Sequence, residues 1–169
     1  MAYTDSLTGF KNKAYLYELG WMEEPSGAEM FGMIYLDIDN FKNINDSYGH
    51  TLGDDLLITV SERLRGCIGE DVIVTRFGGD EFVLIVPDDR SLQFTHETID
   101  KLIDTFKTPF FIDERGFFVT VSMGISVSER EGYDFDLMLK AADIAMYQAK
   151  ESGKNNYMFY DPEMDRKIK

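Results

Sequence analysis

Basic residues are scarce in this chain: 17 lysines and arginines stand against 31 aspartates and glutamates, a net charge of −14. That balance argues against nucleic acid or an anionic membrane surface as a partner. It also means that a phosphorylated substrate would need divalent metal and a local cluster of donors to offset the repulsion. Cysteine is nearly absent. With Cys67 alone, no internal disulfide can form, which fits a reducing cytoplasm, and the residue reads as a small apolar side chain. Long apolar runs are missing as well: the longest are strand-length, short of the roughly 20 residues a membrane helix needs. With no leader-like run either, the expected setting is the cytoplasm, free or as the cytoplasmic part of a membrane-anchored protein. Two common phosphate and metal motifs are also lacking. No GxxxxGK[ST] occurs, so a P-loop does not explain phosphate binding. Asp37 and Asp39 open like a calcium loop, but Phe41 and Lys42 stand where that loop needs Asp or Asn and then Gly.

What the chain does have is one domain's worth of core: 169 residues, 44% hydrophobic and 14% aromatic. Its most informative stretch is Arg76-Phe77-Gly78-Gly79-Asp80-Glu81-Phe82, set between the strand-like runs Val72–Phe77 and Glu81–Val86. A Gly-Gly pair between such runs predicts a two-residue hairpin, since glycine takes positive φ cheaply. Either the two acids merely solvate the turn, or Asp80 and Glu81 mark a place where metal and phosphate meet. Upstream, Met33–Asp39 is a nearly continuous apolar run that ends in acid, which predicts a central strand buried on both faces. A carboxylate at the end of such a strand is costly unless paired, so the natural partner of Asp37 is a cation.

The remaining pattern predicts an opening helix from Asp5 to about Met22, a turn at Glu23–Gly27, a strand at about Phe31–Ile38 and a helix from about Gly53 to Arg65 with Leu56, Leu57, Val60 and Leu64 on one face. A further helix carries Leu92, Thr95, Ile99, Leu102, Ile103 and Phe106. Alternation from Val119 to Val127 predicts a half-buried strand. In the last helix Leu137, Ala141, Ile144, Ala145 and Gln148 trace one side, Met138, Ala142, Ala145 and Ala149 overlap it, and Met138 and Met146 read as core filler. This order implies an α+β sandwich on a mostly antiparallel sheet.

Several segments together resemble the GGDEF domain, the catalytic domain of diguanylate cyclases. They are Asp5-Ser6-Leu7-Thr8-Gly9, Leu36–Asp46 with its Asp37, Asp39, Phe41, Lys42 and Asn45, then Tyr48-Gly49-His50 with Gly53-Asp54. The signature hairpin follows, and last come Ala142-Asp143, Tyr147, Lys150 and Gly153-Lys154-Asn155. The resemblance covers about residues 5–160. It implies a ferredoxin-like, palm-type antiparallel sheet flanked by helices, nucleotidyl-cyclase-like, with residues 1–160 the catalytic domain and 161–169 a tail or the start of a linker. The implied reaction joins two GTP into cyclic di-GMP with release of two pyrophosphates, across a homodimer of domains, with two Mg2+ per active site or Mn2+ in their place. Asp37 and Asp80, with the backbone carbonyl of Ile38, would hold metal. Glu81 would serve a metal or act as base for the attacking hydroxyl.

Phosphates would lie by Gly78 and Gly79 and at the amides of the helix that Phe41 and Lys42 open. Lys150 and Lys154 would approach them, unless they are solvated surface charges. By resemblance Asn45 and Asp54 read guanine, since a carboxylate accepts from its N1–H and exocyclic amine; Asp54 could equally be a helix N-terminal acid. His50 reads as loop structure, and His96 has no assigned role. Departures from the family pattern are Phe10 for Leu and Lys13 and Lys154 for Arg. The RxxD of a product-inhibition site is replaced at its ends by Gly69 and Val72, so strong inhibition by product is not expected; the competing reading is a secondary product site built from surface arginines such as Arg63 or Arg65. Without a sensor region the domain alone is expected to be largely monomeric and slow. The alternative is a catalytically weak GTP-binding module that regulates a fused phosphodiesterase domain.

Overall fold

The computed structural model describes residues 2–18 and 28–165. In chain order they form β1 (Lys11–Asn12), α1 (Lys13–Glu18), β2 (Met30–Ile38), α2 (Phe41–Tyr48), α3 (His50–Cys67), β3 (Ile73–Gly78) and β4 (Glu81–Asp88). Then come α4 (Gln93–Thr105), β5 (Phe110–Ile112), β6 (Arg115–Phe117), β7 (Val121–Glu129), α5 (Phe135–Glu151) and β8 (Asn156–Phe159). The main sheet runs β1-β3-β4-β2-β7-β8, and β5-β6 is a small hairpin of its own. The three central pairings are antiparallel, while the edge strands β1 and β8 pair in parallel. The mostly antiparallel α+β expectation therefore holds.

β2 lies between β4 and β7, and its continuous apolar run is buried on both faces. Ile34, Leu36 and Ile38 join Phe82 and Leu84 of β4 and the apolar sides of α3 and α4 in one core layer. Met33 and Tyr35 join Val83, Ile85 and the α5 residues Met138, Ala142 and Met146 in the other. Helices on both faces make the layered arrangement that an amphipathic helix and a two-sided strand require.

Three expectations need correction. The opening helix does not start at Asp5: Thr8 donates to the Asp5 carboxylate through its backbone N–H at 2.9 Å and its hydroxyl at 2.8 Å. Gly9 sits at φ +78°, so residues 5–10 form a turn, and helix begins only at Lys13. The rest of that expected helix beyond Glu18 and the turn at Glu23–Gly27 lie outside the described residues. β7 is not half-buried but buried on both faces from Val121 to Ser126, because α5 packs on the side where Ser122, Gly124 and Ser126 stand. There a Cβ on Gly124 would lie 2.0 Å from the Ala142 carbonyl oxygen, so the alternating small residues are what let the helix approach. On α5, Leu137 is 66% exposed, and the buried side is that of Met138, Ala142, Ala145, Met146 and Ala149.

Candidate functional site

The register of β2 against β4 places Asp37 directly opposite Glu81 at the end of the strand pair. The hairpin between β3 and β4 differs by one residue from the expected one: Gly78 pairs with Glu81, so the two loop residues are Gly79 and Asp80, with a bulge between Arg76 and Gly78. Gly78 and Gly79 have φ of +151° and +49°, and a Cβ on either would meet no atom within 4 Å, so the tip faces open space. The hairpin is stitched to β2 by the Ile38 amide, which donates to the Asp80 carbonyl at 3.2 Å.

Asp37 is 5% exposed. One of its oxygens accepts from Lys150 of α5; the other, Oδ1, is buried without a hydrogen-bond partner. Asp80 stands beside it with its carboxyl pushed up to about 7, first by burial and then by the neighbouring Asp37 carboxylate. Burial also raises Glu81, and the charges of Asp37 and Asp143 add to it, while a hydrogen bond from the Tyr35 hydroxyl at 3.1 Å opposes the rise. Burial works against the charge of Lys150, but its bond to Asp37 and the negative charges around it leave its affinity for the proton raised. An under-neutralised carboxylate pair with one orphaned oxygen is what a divalent cation with oxygen preference fits.

Asp39, by contrast, is saturated: it accepts from the Thr120 hydroxyl at 2.7 Å, the Ser122 hydroxyl at 2.6 Å and the Asn155 amide at 3.0 Å. It clasps the segment after α5 rather than facing a ligand. That clasp brings Lys154 to the start of α2, where its ammonium donates to Asn40 Oδ1 at 2.8 Å. Asn40 precedes the helix in a left-handed conformation and makes no side-chain cap, so the first-turn amides of α2 keep their donors. The Phe41 ring is core, 7% exposed, and Lys42 is exposed, so what this pair offers a phosphate is backbone. Lys150 is thus an ion-paired, partly buried charge, while Lys154 is exposed and makes a hydrogen bond to Asn40.

Asn45 and Asp54 come from the adjacent helices α2 and α3. Gly53 lets the two helices close up: a Cβ there would lie 1.8 Å from Asn45 Oδ1, a buried oxygen with no partner. Asp54 is exposed, and because α3 begins at His50 it lies outside the first turn, which removes the helix-terminus alternative. His50 is an exposed first helical residue, and the His96 ring packs 5.1 Å from that of Phe159. The two arginines weighed for a secondary product site are engaged within the fold. Arg63 donates to the carbonyls of Thr105, Thr108 and Pro109 at 3.1, 2.7 and 2.7 Å, and Arg65 donates to the Thr8 carbonyl at 2.6 Å. Gly69 is exposed and Val72 buried.

Three residues near the site escaped sequence reasoning. Tyr35 reads as part of an apolar run, and its hydroxyl becomes meaningful only once the register is known. Asp143 keeps much surface exposed, yet protein crowds its carboxylate enough for burial to raise it, with Lys150 pulling the other way. Arg76 clamps the hairpin: Nε and Nη2 donate to the Gly79 carbonyl at 3.1 and 2.9 Å, and Nη1 to Asp5 Oδ1 at 3.0 Å. Hydrogen bonds to a charged group contribute about 1.5–3 kcal/mol each. Arg76→Ala is therefore expected to lower stability by about 2 kcal/mol, read as a shift of the urea midpoint at unchanged slope; an unchanged midpoint would show the clamp to be incidental.

A family model described as "Diguanylate cyclase, GGDEF domain" matches residues 2–156. Over 169 residues the chain is 34% identical to the cyclic di-GMP phosphodiesterase PdeR of Escherichia coli, covering 99% of this chain and 25% of that protein. It is 33% identical to the bifunctional diguanylate cyclase/cyclic di-GMP phosphodiesterase MucR of Pseudomonas aeruginosa, covering 98% of this chain and 24% of that one. The chain thus spans about a quarter of the length of these curated relatives. Among solved structures, the GGDEF domain of TpbB (YfiN) from Pseudomonas aeruginosa superposes with a TM-score of 0.85 at 28% identity, covering 98% of each chain.

Proposed function

Since the chain belongs to the GGDEF domain family of diguanylate cyclases, we propose that it condenses two GTP into cyclic di-GMP with release of two pyrophosphates. The observation that supports this most is the buried, partnerless Oδ1 of Asp37 beside the raised carboxyl of Asp80, at strand ends where a divalent cation has both reason and ligands to bind. Mg2+, or Mn2+ in its place, would be held by Asp37, Asp80 and the Ile38 carbonyl, and would supply charge neutralisation for the α-phosphate and pyrophosphate. Lys150, with Asp37 given over to the cation, would be free to turn toward phosphate, and Lys154 stands beside Asn40 at the start of α2. Asn45 and Asp54 take the guanine edge. Each domain holds one GTP, so two must face each other for both 3′-hydroxyls to attack, with residues 1–160 as the catalytic unit and 161–169 as a tail or the start of a linker.

The test is incubation with GTP and Mg2+ across a range of protein concentrations. Cyclic di-GMP should form with a steeper than first-order dependence on protein; a strictly linear dependence would count against the facing-domain arrangement.

A second reading is favoured by one observation: the chain spans a quarter of relatives such as PdeR, which bears a phosphodiesterase name. In it the domain binds GTP, turns it over weakly, and regulates a fused phosphodiesterase or answers a fused sensor. Binding of GTP with product below detection would select that reading.

Product inhibition should be weak in either case, since Gly69 and Val72 replace the arginine and aspartate of the inhibitory motif and Arg63 and Arg65 are held by backbone carbonyls. Titrating cyclic di-GMP against initial rate at saturating GTP checks this, and potent non-competitive inhibition would contradict it.

A further inference from the structure

Side chains alternate across a strand, so Met33, Tyr35 and Asp37 share the α5 side of β2, and the register puts Val83 and Glu81 of β4 on the same side opposite Tyr35 and Asp37. Tyr35 and Glu81 are diagonal neighbours there, and the Tyr35 hydroxyl donates to Glu81 Oε1 at 3.1 Å. The ring that carries this hydroxyl is held: it is 8% exposed and packs edge-on against Phe77 at 5.9 Å, the residue that leads into the signature hairpin. Phe77 is backed in turn by Tyr17, whose ring lies 6.4 Å away. Packing at this place in a buried central strand calls only for an aromatic ring. The hydroxyl adds a desolvation cost that its bond to Glu81 offsets.

One oxygen of Glu81 is thereby committed, and one remains. We propose that Tyr35 is a positioning residue that holds Glu81 back from the cation shared by Asp37 and Asp80, reserving its free oxygen for the hydroxyl of the substrate. In the reaction, the free oxygen accepts the proton of the 3′-hydroxyl while that hydroxyl's oxygen forms its bond to the α-phosphorus. The bond from the α-phosphorus to pyrophosphate breaks, and the electron pair leaves with pyrophosphate. Without the phenol, Glu81 is free to turn toward Asp37 and Asp80 and become a further ligand, which strengthens metal binding and removes the proton acceptor from its place. The inference rests on the metal reading of Asp37 and Asp80, and neither the family match nor the site's expected residues assign Tyr35 a part.

The experiment uses Mn2+ alone, counted as free ion by electron paramagnetic resonance, with the wild-type domain, Tyr35→Phe, Glu81→Ala and the double variant. Tyr35→Phe should bind Mn2+ about tenfold more tightly, about 1.4 kcal/mol, with a melting temperature near that of the wild type, and the gain should vanish when Glu81→Ala is present. Tyr35→Met, a second apolar filler, should show the same gain and covers the case in which the phenylalanine variant folds poorly. Unchanged or weaker Mn2+ binding, a gain that persists without Glu81, or no Mn2+ binding in any of these proteins overturns the proposal. Where GTP is turned over, kcat should fall about tenfold with KM within about twofold, and a rise in KM alone also overturns it. Because the metal readout needs no GTP, a Glu81-dependent gain in a domain that makes no cyclic di-GMP would reject the proposed function and the proton-acceptor step while leaving the hold of Tyr35 on Glu81 standing.

Discussion

Asp80→Asn is expected to lower cyclic di-GMP formation by on the order of 10² or more, the scale on which removal of one electrostatic group at a reacting centre acts. The argument is local. Asp80 is partly buried beside Asp37, and its carboxyl stands at about 7, first because burial disfavours its charge and then because the neighbouring Asp37 carboxylate resists joint ionisation. A divalent cation reverses the balance and favours both charges; an amide at position 80 keeps the shape and removes one of them. Metal affinity should also weaken in the wild type as pH falls through about 7, since a proton then competes for Asp80. The sign for stability is opposite. A carboxyl raised in the folded state destabilises the metal-free fold where it is ionised, so metal-free Asp80→Asn should melt no lower than the wild type at pH 8. That control separates lost chemistry from lost structure, and near-normal turnover in a well-folded variant would remove Asp80 from the metal site.

The second large effect is on base choice. Asp54→Ala should collapse the preference for GTP over ATP, because sites built to pair a substrate's polar edge supply discrimination of ~10⁴-fold. Asp54 is exposed on α3 with no position in its first turn to serve, and the neighbouring Asn45 presents a buried, partnerless oxygen over Gly53. Guanine offers donors at N1 and its amine, whereas adenine presents a lone pair at N1 that a carboxylate repels. Competition between the two nucleotides gives the ratio of kcat/KM directly, and a variant that keeps the wild-type ratio would show Asp54 to be a solvated helix charge.

Much of this was legible in the sequence where one residue's neighbours along the chain settle its surroundings. The apolar run of β2 ends in Asp37, and that alone required a cation partner, which the structure supplies provisionally as Lys150. The glycines of the hairpin signalled a tight turn, although the bulge moved the loop to Gly79-Asp80. What stayed hidden depends on contacts distant in sequence. Periodicity could not show that Asp5 folds residues 5–10 into a turn that Arg76 ties to the hairpin 71 positions away, because local helix spacing and the turn share the same polar letters. Nor could the alternation of β7 reveal that its small residues admit α5 rather than face water. Leu137 and Met138 are adjacent and both apolar, and which of them is buried is set by the rotation of α5 on the sheet. Arg63 and Arg65 read as surface charge until the carbonyls that hold them are in view. The two glycine-dependent approaches, at Gly53 and Gly124, belong to the same class: the signal is the absence of a side chain, and its meaning lies in the helix or side chain that comes close.

The account stands most directly on the identity of the product. Wild-type domain and Asp80→Asn, each with Mg2+ and either GTP or ATP, would be analysed by mass spectrometry of the nucleotides after incubation. The expected result is cyclic di-GMP with two pyrophosphates per molecule from the wild type with GTP, no cyclic di-AMP from ATP, and at most a trace of cyclic di-GMP from the variant. Unchanged GTP, or GDP and phosphate as the only products, at concentrations where two domains associate would contradict it.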